Sequence, residues 1–270
     1  MNFLPTKKPM PAEATPPPNT FVDTFARGLA VLEAFGSERQ EMSLSEVASA
    51  ANISRAAARR LLLTLCHLGY ASQNGRTFKL TARVLRLGYA YLSALPLADI
   101  VEPYVLKAAE KTGESCSVCM LDGHEIVYVA RASSRRVMSL NLAIGTRLPA
   151  WATANGRVLL GGLGGTERAT LLKQSSISKL TPFSLHSITK VEAAIKQAIL
   201  HGYSYVNQEL ELGLTAVAMP LFDKAGSMVA SINIAGHAER NPESRMLNDH
   251  LPVLRETVKQ LNAALGARGK

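Results

Sequence analysis

The amino-acid sequence predicts an α+β protein: an N-terminal winged helix-turn-helix domain, a linker helix, and a C-terminal domain whose largely antiparallel sheet is flanked by helices. Three observations lead to this prediction. Two short helical stripes meet at the tight turn Asn52-Ile53, the pair Asn74-Gly75 separates two strand-like runs, and helix, strand, helix, strand and helix patterns follow Pro96 in that order. We predict a disordered proline-rich tail at residues 1–19, the winged domain at 20–80, the linker helix at 81–95 and the C-terminal domain at 96–270.

The composition is that of an ordinary globular protein. Its 270 residues suffice for two domains, and 47% hydrophobic with 19% charged residues exclude global disorder. No apolar run approaches the ~20 residues that cross a bilayer, and the N-terminus does not resemble a signal peptide. The three cysteines indicate a reducing compartment and no disulfide framework. We therefore expect a cytoplasmic protein without membrane contact.

Positive charge is concentrated in the predicted winged domain. The chain carries a net charge of +9, and residues 48–98 contain seven Lys and Arg residues but no Asp or Glu. Beyond residue 98, 19 basic residues stand against 15 acidic ones. Phosphate contacts need cations without competing carboxylates, so the acid-free block indicates a polyanionic partner.

The second helix of the helix-turn-helix, residues 54–68, separates apolar from basic residues. The predicted packed face comprises Ala57, Ala58, Leu61, Leu65 and Leu68. Small residues lie beside the arginines on the other face, as entry into the major groove of double-stranded DNA requires. An ordinary helical hairpin with arginines in water is the alternative. We assign DNA contacts to Ser54, Arg55, Ala56, Arg59 and Arg60.

Flanking segments extend the winged module. Before it, residues 20–35 predict a helix with Phe25, Leu29, Leu32 and Phe35 at helical spacing, and Ser43 with Glu46 predicts a capping box. After it, Asn74-Gly75 predicts a hairpin with a type I′ turn, in which both central residues have positive φ. Arg76 and Lys79 on this hairpin either contact phosphates or lie on a solvated edge.

The predicted linker helix carries Val84, Leu87 and Tyr91 on one side. This apolar side either packs on its own domain or pairs with another subunit. A single DNA-binding head rarely binds tightly alone, so we expect a homodimer or homotetramer.

In the C-terminal domain, segments with helical spacing of apolar residues alternate with segments that have the two-residue spacing of strands. Predicted strands are 115–121, 125–131, 136–142, 203–208, 215–222 and 228–235. Predicted helices are 99–112, 152–163, 166–174, 188–200 and a last helix reaching about residue 265. Asn241-Pro242 predicts an N-cap followed by proline at the first helical position.

The sequence offers no catalytic, metal or cofactor site. Cys116 and Cys119 lie three residues apart on a predicted strand, so their side chains point to opposite faces, and no second cysteine pair completes a zinc site. The glycine-rich stretch 161–165 lacks the lysine and serine of a phosphate loop, and no G-x-S-x-G motif presents a nucleophile.

Two segments suggest a ligand site. Residues 147–158 carry the only tryptophan and then Asn155 at the start of a helix, where N–H groups attract carboxylates; close packing of small residues is the alternative. Asn233 is polar within an apolar strand pair, so it either faces water or satisfies a buried group.

The sequence resembles the IclR family of bacterial transcription regulators. The matching segments are FARGLAVLEAF, LSEVASAANISRAAARRLLLTLCHLGY, LDGHEIVYVAR, GTRLPAWATANGRVLL and NQELELGLTAVAMPLFDKAGSMVASINIAG, in order from about residue 20 to 265. SRAAARRLLLTL in particular is similar to the regulators of aromatic-acid catabolism through the β-ketoadipate route, including those for protocatechuate and 4-hydroxybenzoate.

The resemblance implies a dimeric or tetrameric regulator that binds promoter DNA and whose C-terminal domain binds a small, aromatic organic acid as effector. By position, the pocket is lined by Leu140, Leu148, Ala154, Asn155, Ala216, Asn233 and Ala235. Some members of the family have Cys or Ser where this chain has Ala216, Asn233 and Ala235. Asn155 and Asn233 supply polar anchors, and Arg136 and Arg147 are candidates for a positive charge.

Two other functions remain open at this point. One is a cytosolic enzyme acting on small aromatic or keto acids, and the other is a constitutive DNA-binding protein with a vestigial pocket.

Overall fold

A computed structural model describes residues 20–36, 39–92, 97–133 and 142–266 of the protein. These residues form two compact units, 20–92 and 97–266. The predicted tail at 1–19 and the predicted boundary at Pro96 lie outside the described residues. Among the helices within them, none is both long and apolar enough to cross a membrane.

The first unit has the order of a winged helix-turn-helix. Its helices are α1 (Asp23–Glu33), α2 (Leu44–Ala50), α3 (Arg55–His67) and, after a 3₁₀ turn at Ala82–Val84, α4 (Leu85–Leu92). Its strands are β1 (Glu41–Ser43), β2 (Ala71–Asn74) and β3 (Thr77–Leu80).

Side-chain hydroxyls fix where α2 and α3 begin. The predicted capping box is confirmed: Glu46 N donates to Ser43 Oγ, and Ser43 N donates to Glu46 Oε2 at 2.7 Å. Ser54 caps α3 by accepting from Ala57 N at 3.2 Å. Between the helices, Asn52 adopts a positive φ of 55°, which Asn tolerates better than other side chains.

The predicted packed face of α3 is confirmed in part, because Ala58 is buried and Leu61 and Leu65 pack against the core of the first unit. Leu62 is fully buried among Val31, Val47 and Phe78, whereas Leu68, predicted to pack, is 48% exposed. Leu62 is surrounded by side chains of α1, α2 and β3, whereas Leu68 is the C-terminal cap of the helix. The apolar stripe predicted on α1 is covered only in part: Phe35 packs against the same core, whereas Phe25 and Leu29 are exposed.

The wing is a three-stranded antiparallel sheet in the order β1-β3-β2. The predicted hairpin is confirmed, since Asn74 pairs with Thr77 around the two-residue loop of Gly75 and Arg76. The predicted type I′ turn is wrong: Gly75 has φ 57° while Arg76 has a negative φ, the pattern of a type II′ turn with glycine first. The short strand β1 was not predicted.

The described residues of the second unit form a helix, three strands, three helices, three strands and a final helical segment. Its strands are β4 (Ser115–Asp122), β5 (Glu125–Ala132), β6 (Arg147–Pro149), β7 (Ser204–Asn207), β8 (Leu214–Phe222) and β9 (Met228–His237). Its helices are α5 (Leu97–Thr112), α6 (Ala154–Gly161), α7 (Gly165–Gln174), α8 (Ile188–His201), α9 (Glu243–Arg245) and α10 (Leu251–Ala264). A π-helical turn joins the last two.

The six strands form one antiparallel sheet in the order β6-β5-β4-β9-β8-β7. Two consecutive three-stranded meanders are thus joined by the pairing of β4 with β9, in which Ser117 faces Asn233. Every residue from 231 to 236 in β9 is buried, so both faces of this central strand are covered. Helices α5 and α10 contact each other and the sheet, and so do α6 and α8. The short β6 was not predicted, and the strand predicted at 136–142 lies almost wholly outside the described residues.

Asn241 has a different role from the predicted one. The cap of α9 is Pro242, and no side chain caps that helix. The Asn241 amide is buried instead, where Nδ2 donates to Glu114 Oε1 at 3.1 Å and Oδ1 lies 2.9 Å from His250 Nε2. It therefore ties the start of β4 to the C-terminal helical segment.

We expect Leu62→Ala to destabilise the first unit by about 2–5 kcal/mol, because it leaves a cavity at a fully buried position. Leu68→Ala is the matched control on the same helix and should cost about 0.5 kcal/mol or less. Hydrogen exchange of α3 amides in the full-length protein measures the difference. Equal losses of protection in the two variants would contradict the assignment of the packed face.

Candidate nucleic-acid interface and ligand cavity

The side chains predicted to contact DNA form an exposed, basic surface. Those of α3 and its cap are Ser54, Arg55, Ala56, Arg59 and Arg60, and all five are exposed. No salt bridge engages the three arginines among the described residues, so their charges are available to a polyanion. The hydroxyl of Ser54 accepts in the cap, which leaves its proton as a donor.

The two wing cations differ in their surroundings. Arg76 is exposed in the two-residue hairpin loop, away from the other strands. Lys79 lies on the central strand of the wing, and Glu41 on β1 is its direct cross-strand partner. The wing sheet therefore brings the carboxylate of Glu41 next to Lys79, although the segment that contains Lys79 has no acidic residue of its own. Of the two cations, Arg76 is the better placed to contact a phosphate.

A cavity in the second unit brings together most of the predicted pocket residues. Leu148, Ala154, Asn155, Ala216, Asn233 and Ala235 all line it. Leu140 lies outside the described residues. Counting the open solvent at its mouth, the space between these side chains is ≈ 470 Å³.

Eight further lining residues were not predicted: Tyr128, Arg131, Leu142, Ala152, Thr153, Val206, Leu210 and Leu214. Arg131 is the one cation in the described lining, which contains no carboxylate. A sequence signal for it existed, because a charge at the end of the otherwise apolar run IVYVA is unusual for a strand in a core.

Arg131 lies in a polar row that crosses three strands. Ser117 on β4 is the cross-strand partner of both Arg131 on β5 and Asn233 on β9. The guanidinium reaches over the middle strand, with Nη1 donating to Ser117 Oγ at 3.1 Å and Nε to Ser133 Oγ at 3.2 Å. Its carbon lies 6.0 Å from the centre of the Tyr128 ring.

Asn155 lines the cavity, but its side chain is bonded within the protein. Its Nδ2 donates to Cys119 Sγ at 3.1 Å, and its Oδ1 accepts from Ser231 Oγ at 3.0 Å. The amide thus holds the first turn of α6 against two neighbouring strands. Asn233 differs, because its Oδ1 is buried without a hydrogen-bond partner among the described residues.

Of the two sequence candidates for a positive charge, Arg147 does not line the cavity. Arg147 pairs with Glu125 at 2.8 Å and with Asp122 at 2.6 Å, and it is absent from the lining. These partners raise the pKa of Arg147 although burial opposes them. Arg136 lies outside the described residues.

The cysteine pair has no chemistry at this site. Burial raises the pKa of the Cys116 thiol to about 12 and raises that of Cys119 further, so both stay protonated near neutral pH. In the part of the chain that the structure describes, no three His, Cys, Asp or Glu side chains are grouped to hold a metal ion.

Two residues in the first turn of α6, Gly156 and Arg157, hold the start of this helix in place. A Cβ on Gly156 would lie 2.1 Å from the carbonyl oxygen of Ala150, so only glycine allows the helix this close to the preceding turn. Arg157 is 2% exposed; its Nε donates to Trp151 O and its Nη1 to Glu209 Oε1 at 2.9 Å. Glu209 precedes Leu210, so this ion pair holds the loop that contributes to the cavity wall.

Comparison with known proteins agrees with both halves of the structure. Residues 24–75 match the family model described as the IclR helix-turn-helix domain, and residues 89–263 match the one described as bacterial transcriptional regulator IclR C-terminal. The chain belongs to the IclR family.

Several curated proteins of regulatory name are similar over most of the chain. The chain is 36% identical to the Pca regulon regulatory protein of Pseudomonas putida over 89% of its length and 83% of that protein. It is 34% identical to the p-hydroxybenzoate hydroxylase transcriptional activator of Acinetobacter baylyi, covering 89% of this chain and 91% of that protein.

Two solved structures are also similar. A putative transcriptional regulator from Rhodococcus sp. RHA1 is 42% identical with a TM-score of 0.79, covering 91% of this chain and 98% of that one. The inducer-binding domain of a PobR double mutant from Acinetobacter, in complex with 3-hydroxybenzoic acid, is 27% identical with a TM-score of 0.58 over 61% of this chain and 97% of that one.

We expect Gly156→Ala to destabilise the second unit by about 1–3 kcal/mol, because the added methyl group overlaps the backbone at Ala150. The fluorescence of Trp151, the only tryptophan, reports thermal unfolding next to this contact, and the midpoint should fall by about 2–4 °C per kcal/mol. Gly165→Ala on α7, where a Cβ meets open space, is the control. An unchanged midpoint for Gly156→Ala would contradict the close approach.

Proposed function

We propose that this IclR-family protein is a regulator of a catabolic operon for aromatic compounds, that it binds promoter DNA, and that it responds to a small aromatic acid. The observation that carries the proposal is the cavity of the second unit. Leucine and valine side chains line it, and its described lining contains one cation and no acid. An apolar wall with one positive charge suits a planar ring that bears a carboxylate.

The relatives support an aromatic effector. Two of them, at 36% and 34% identity, carry names that refer to the Pca regulon and to p-hydroxybenzoate hydroxylase. The PobR inducer-binding domain is solved with 3-hydroxybenzoic acid. We extend this ligand class to the present chain.

The first unit supports the DNA-binding half of the proposal. Its exposed arginines stand at the start of a capped helix in a winged helix-turn-helix, where the second helix enters the major groove. We assign the base and phosphate contacts to α3 and a phosphate contact to Arg76. We also propose a cytoplasmic location, because that is where a bacterial regulator meets promoter DNA.

We further propose that the regulator is a homodimer or homotetramer and that it has no enzymatic activity. Exposed apolar side chains support self-association: Phe25 and Leu29 on α1 and Leu85 and Leu87 on α4 are all at least 43% exposed in the single chain. In this proposal the effector favours one arrangement of the subunits, and the linker helices reset the spacing of the heads.

The proposal is tested with the full-length protein and two measurements. Binding sites are selected from a random-sequence DNA pool, and calorimetry titrates benzoate, 4-hydroxybenzoate and protocatechuate. We expect a recovered DNA motif, binding of at least one acid, and a change in DNA affinity when that acid is present. DNA binding with no acid bound would favour a constitutive regulator, and turnover of an acid would favour an enzyme.

We expect Arg55→Ala and Arg59→Ala to weaken binding to the selected DNA and to leave acid affinity unchanged. A lost base contact costs about 1–3 kcal/mol, and each lost phosphate contact lowers the slope of log K against log salt concentration by about 0.9. Arg255→Ala on α10 removes the same charge from an exposed site in the second unit and serves as control. Wild-type affinity and salt slope in both variants would overturn the role of α3.

A further inference from the structure

The arginines of the second unit that are sheltered from solvent differ in their partners. Three of the four described ones pair with acids: Arg147 with Asp122 and Glu125, Arg157 with Glu209, and Arg168 with Glu192. Arg131, the fourth, has only the hydroxyls of Ser117 and Ser133 as hydrogen-bond partners within the described residues. A partly buried guanidinium without a carboxylate is an open site for an anion.

The position of Arg131 directs that charge into the cavity. The hydrogen bonds from Nη1 and Nε hold the guanidinium on two sides, and the Tyr128 ring adjoins it. Its Nη2 group makes no hydrogen bond with a described residue. The helix α6 begins at the same cavity, and the orphan N–H groups of a helix N-terminus add positive potential there. No carboxylate in the described lining competes for the charge.

Asn233 supplies an independent second feature. Its side chain is 5% exposed and lines the cavity, yet its Oδ1 has no hydrogen-bond partner among the described residues. A buried amide oxygen without a donor is costly unless a ligand provides one. Asn155, which lines the same cavity, differs because both ends of its amide are hydrogen-bonded within the protein.

The two features lie close enough for one small molecule. Ser117, which accepts from Arg131, is the direct cross-strand partner of Asn233, and such partners have Cβ atoms about 4.5–5.5 Å apart. Apolar side chains such as Leu148, Leu210 and Leu214 complete the lining. The cavity thus joins an anion site, an acceptor for a hydroxyl group and an apolar wall for a ring.

Taking the proposed function as given, we infer that the effector is a hydroxy-substituted aromatic acid, that Arg131 pairs with its carboxylate, and that its hydroxyl group donates to Asn233 Oδ1. These two residues determine the specificity of the cavity. Asn155 positions α6 and does not discriminate between ligands.

Ligand pairs that differ in one group test each contact in the wild-type protein. Calorimetry compares 4-hydroxybenzoate with 4-hydroxybenzamide, which lacks the charge, and 2-, 3- and 4-hydroxybenzoate with benzoate, which lacks the hydroxyl group. We expect the neutral amide to bind about 10- to 100-fold more weakly than the acid. The best hydroxy isomer should bind about 5- to 100-fold more tightly than benzoate.

Variants of the full-length protein then assign each preference to a side chain. Arg131→Gln should abolish the preference for acid over amide while retaining the preference for the hydroxyl group. Asn233→Leu, of similar size, should do the reverse. Arg147→Gln removes the same charge outside the cavity and should keep both preferences. Thermal unfolding followed by Trp151 fluorescence verifies the fold of each variant, and Arg131→Lys restores part of the acid preference if Arg131→Gln unfolds.

The outcomes separate this inference from the proposed function. Acid binding with unchanged preferences in Arg131→Gln or Asn233→Leu would overturn the assigned contact while the aromatic effector stands. An amide that binds the wild-type protein as tightly as the acid would overturn the anion site. A folded, DNA-binding wild-type protein that binds none of these acids would overturn the aromatic effector and the inference together.

Discussion

The antiparallel pairing of β4 with β9 is the contact on which the second unit depends. It joins two meanders that are distant from each other in sequence, and its register sets Ser117 opposite Asn233. Side chains alternate between the faces of a strand, so a slip of one residue would turn Asn233 away from the cavity and bring Ile232 or Ile234 into it. The polar row through Arg131 exists only in the observed register.

Three consecutive residues of α6 fasten the other wall of the cavity to this sheet. Asn155 bonds to β4 and β9, Gly156 permits contact with the preceding turn, and Arg157 reaches the loop that carries Leu210. Each tie is buried and specific. Breaking a buried ion pair such as Arg157 with Glu209 typically costs about 3–5 kcal/mol, because the remaining charge stays out of water. The short sequence Asn155-Gly156-Arg157 therefore fixes the cavity more strongly than its length suggests.

Local rules predicted much of this structure, and contacts distant in sequence account for what they missed. The capping box at Ser43, the turn at Asn52 and the hairpin at Gly75 follow from neighbouring residues and were predictable. The choice of Leu62 over Leu68 depends on contacts of α3 with α1, α2 and the wing sheet, and helical periodicity does not contain these contacts. Six residues that the family resemblance implied line the cavity, whereas Arg131 was missed because its place in the polar row depends on Ser117 on another strand.

The two units present positive charge in different environments, and this sets what each can recognise. The arginines of α3 are exposed, so salt screens them over a Debye length of about 8 Å at physiological ionic strength, and many contacts must act together on a polyanion. Arg131 is partly shielded and held by two hydroxyl groups, so salt screens its charge less. Under the proposed function, an acid in the cavity would therefore retain its affinity under salt conditions that weaken binding of α3 to DNA.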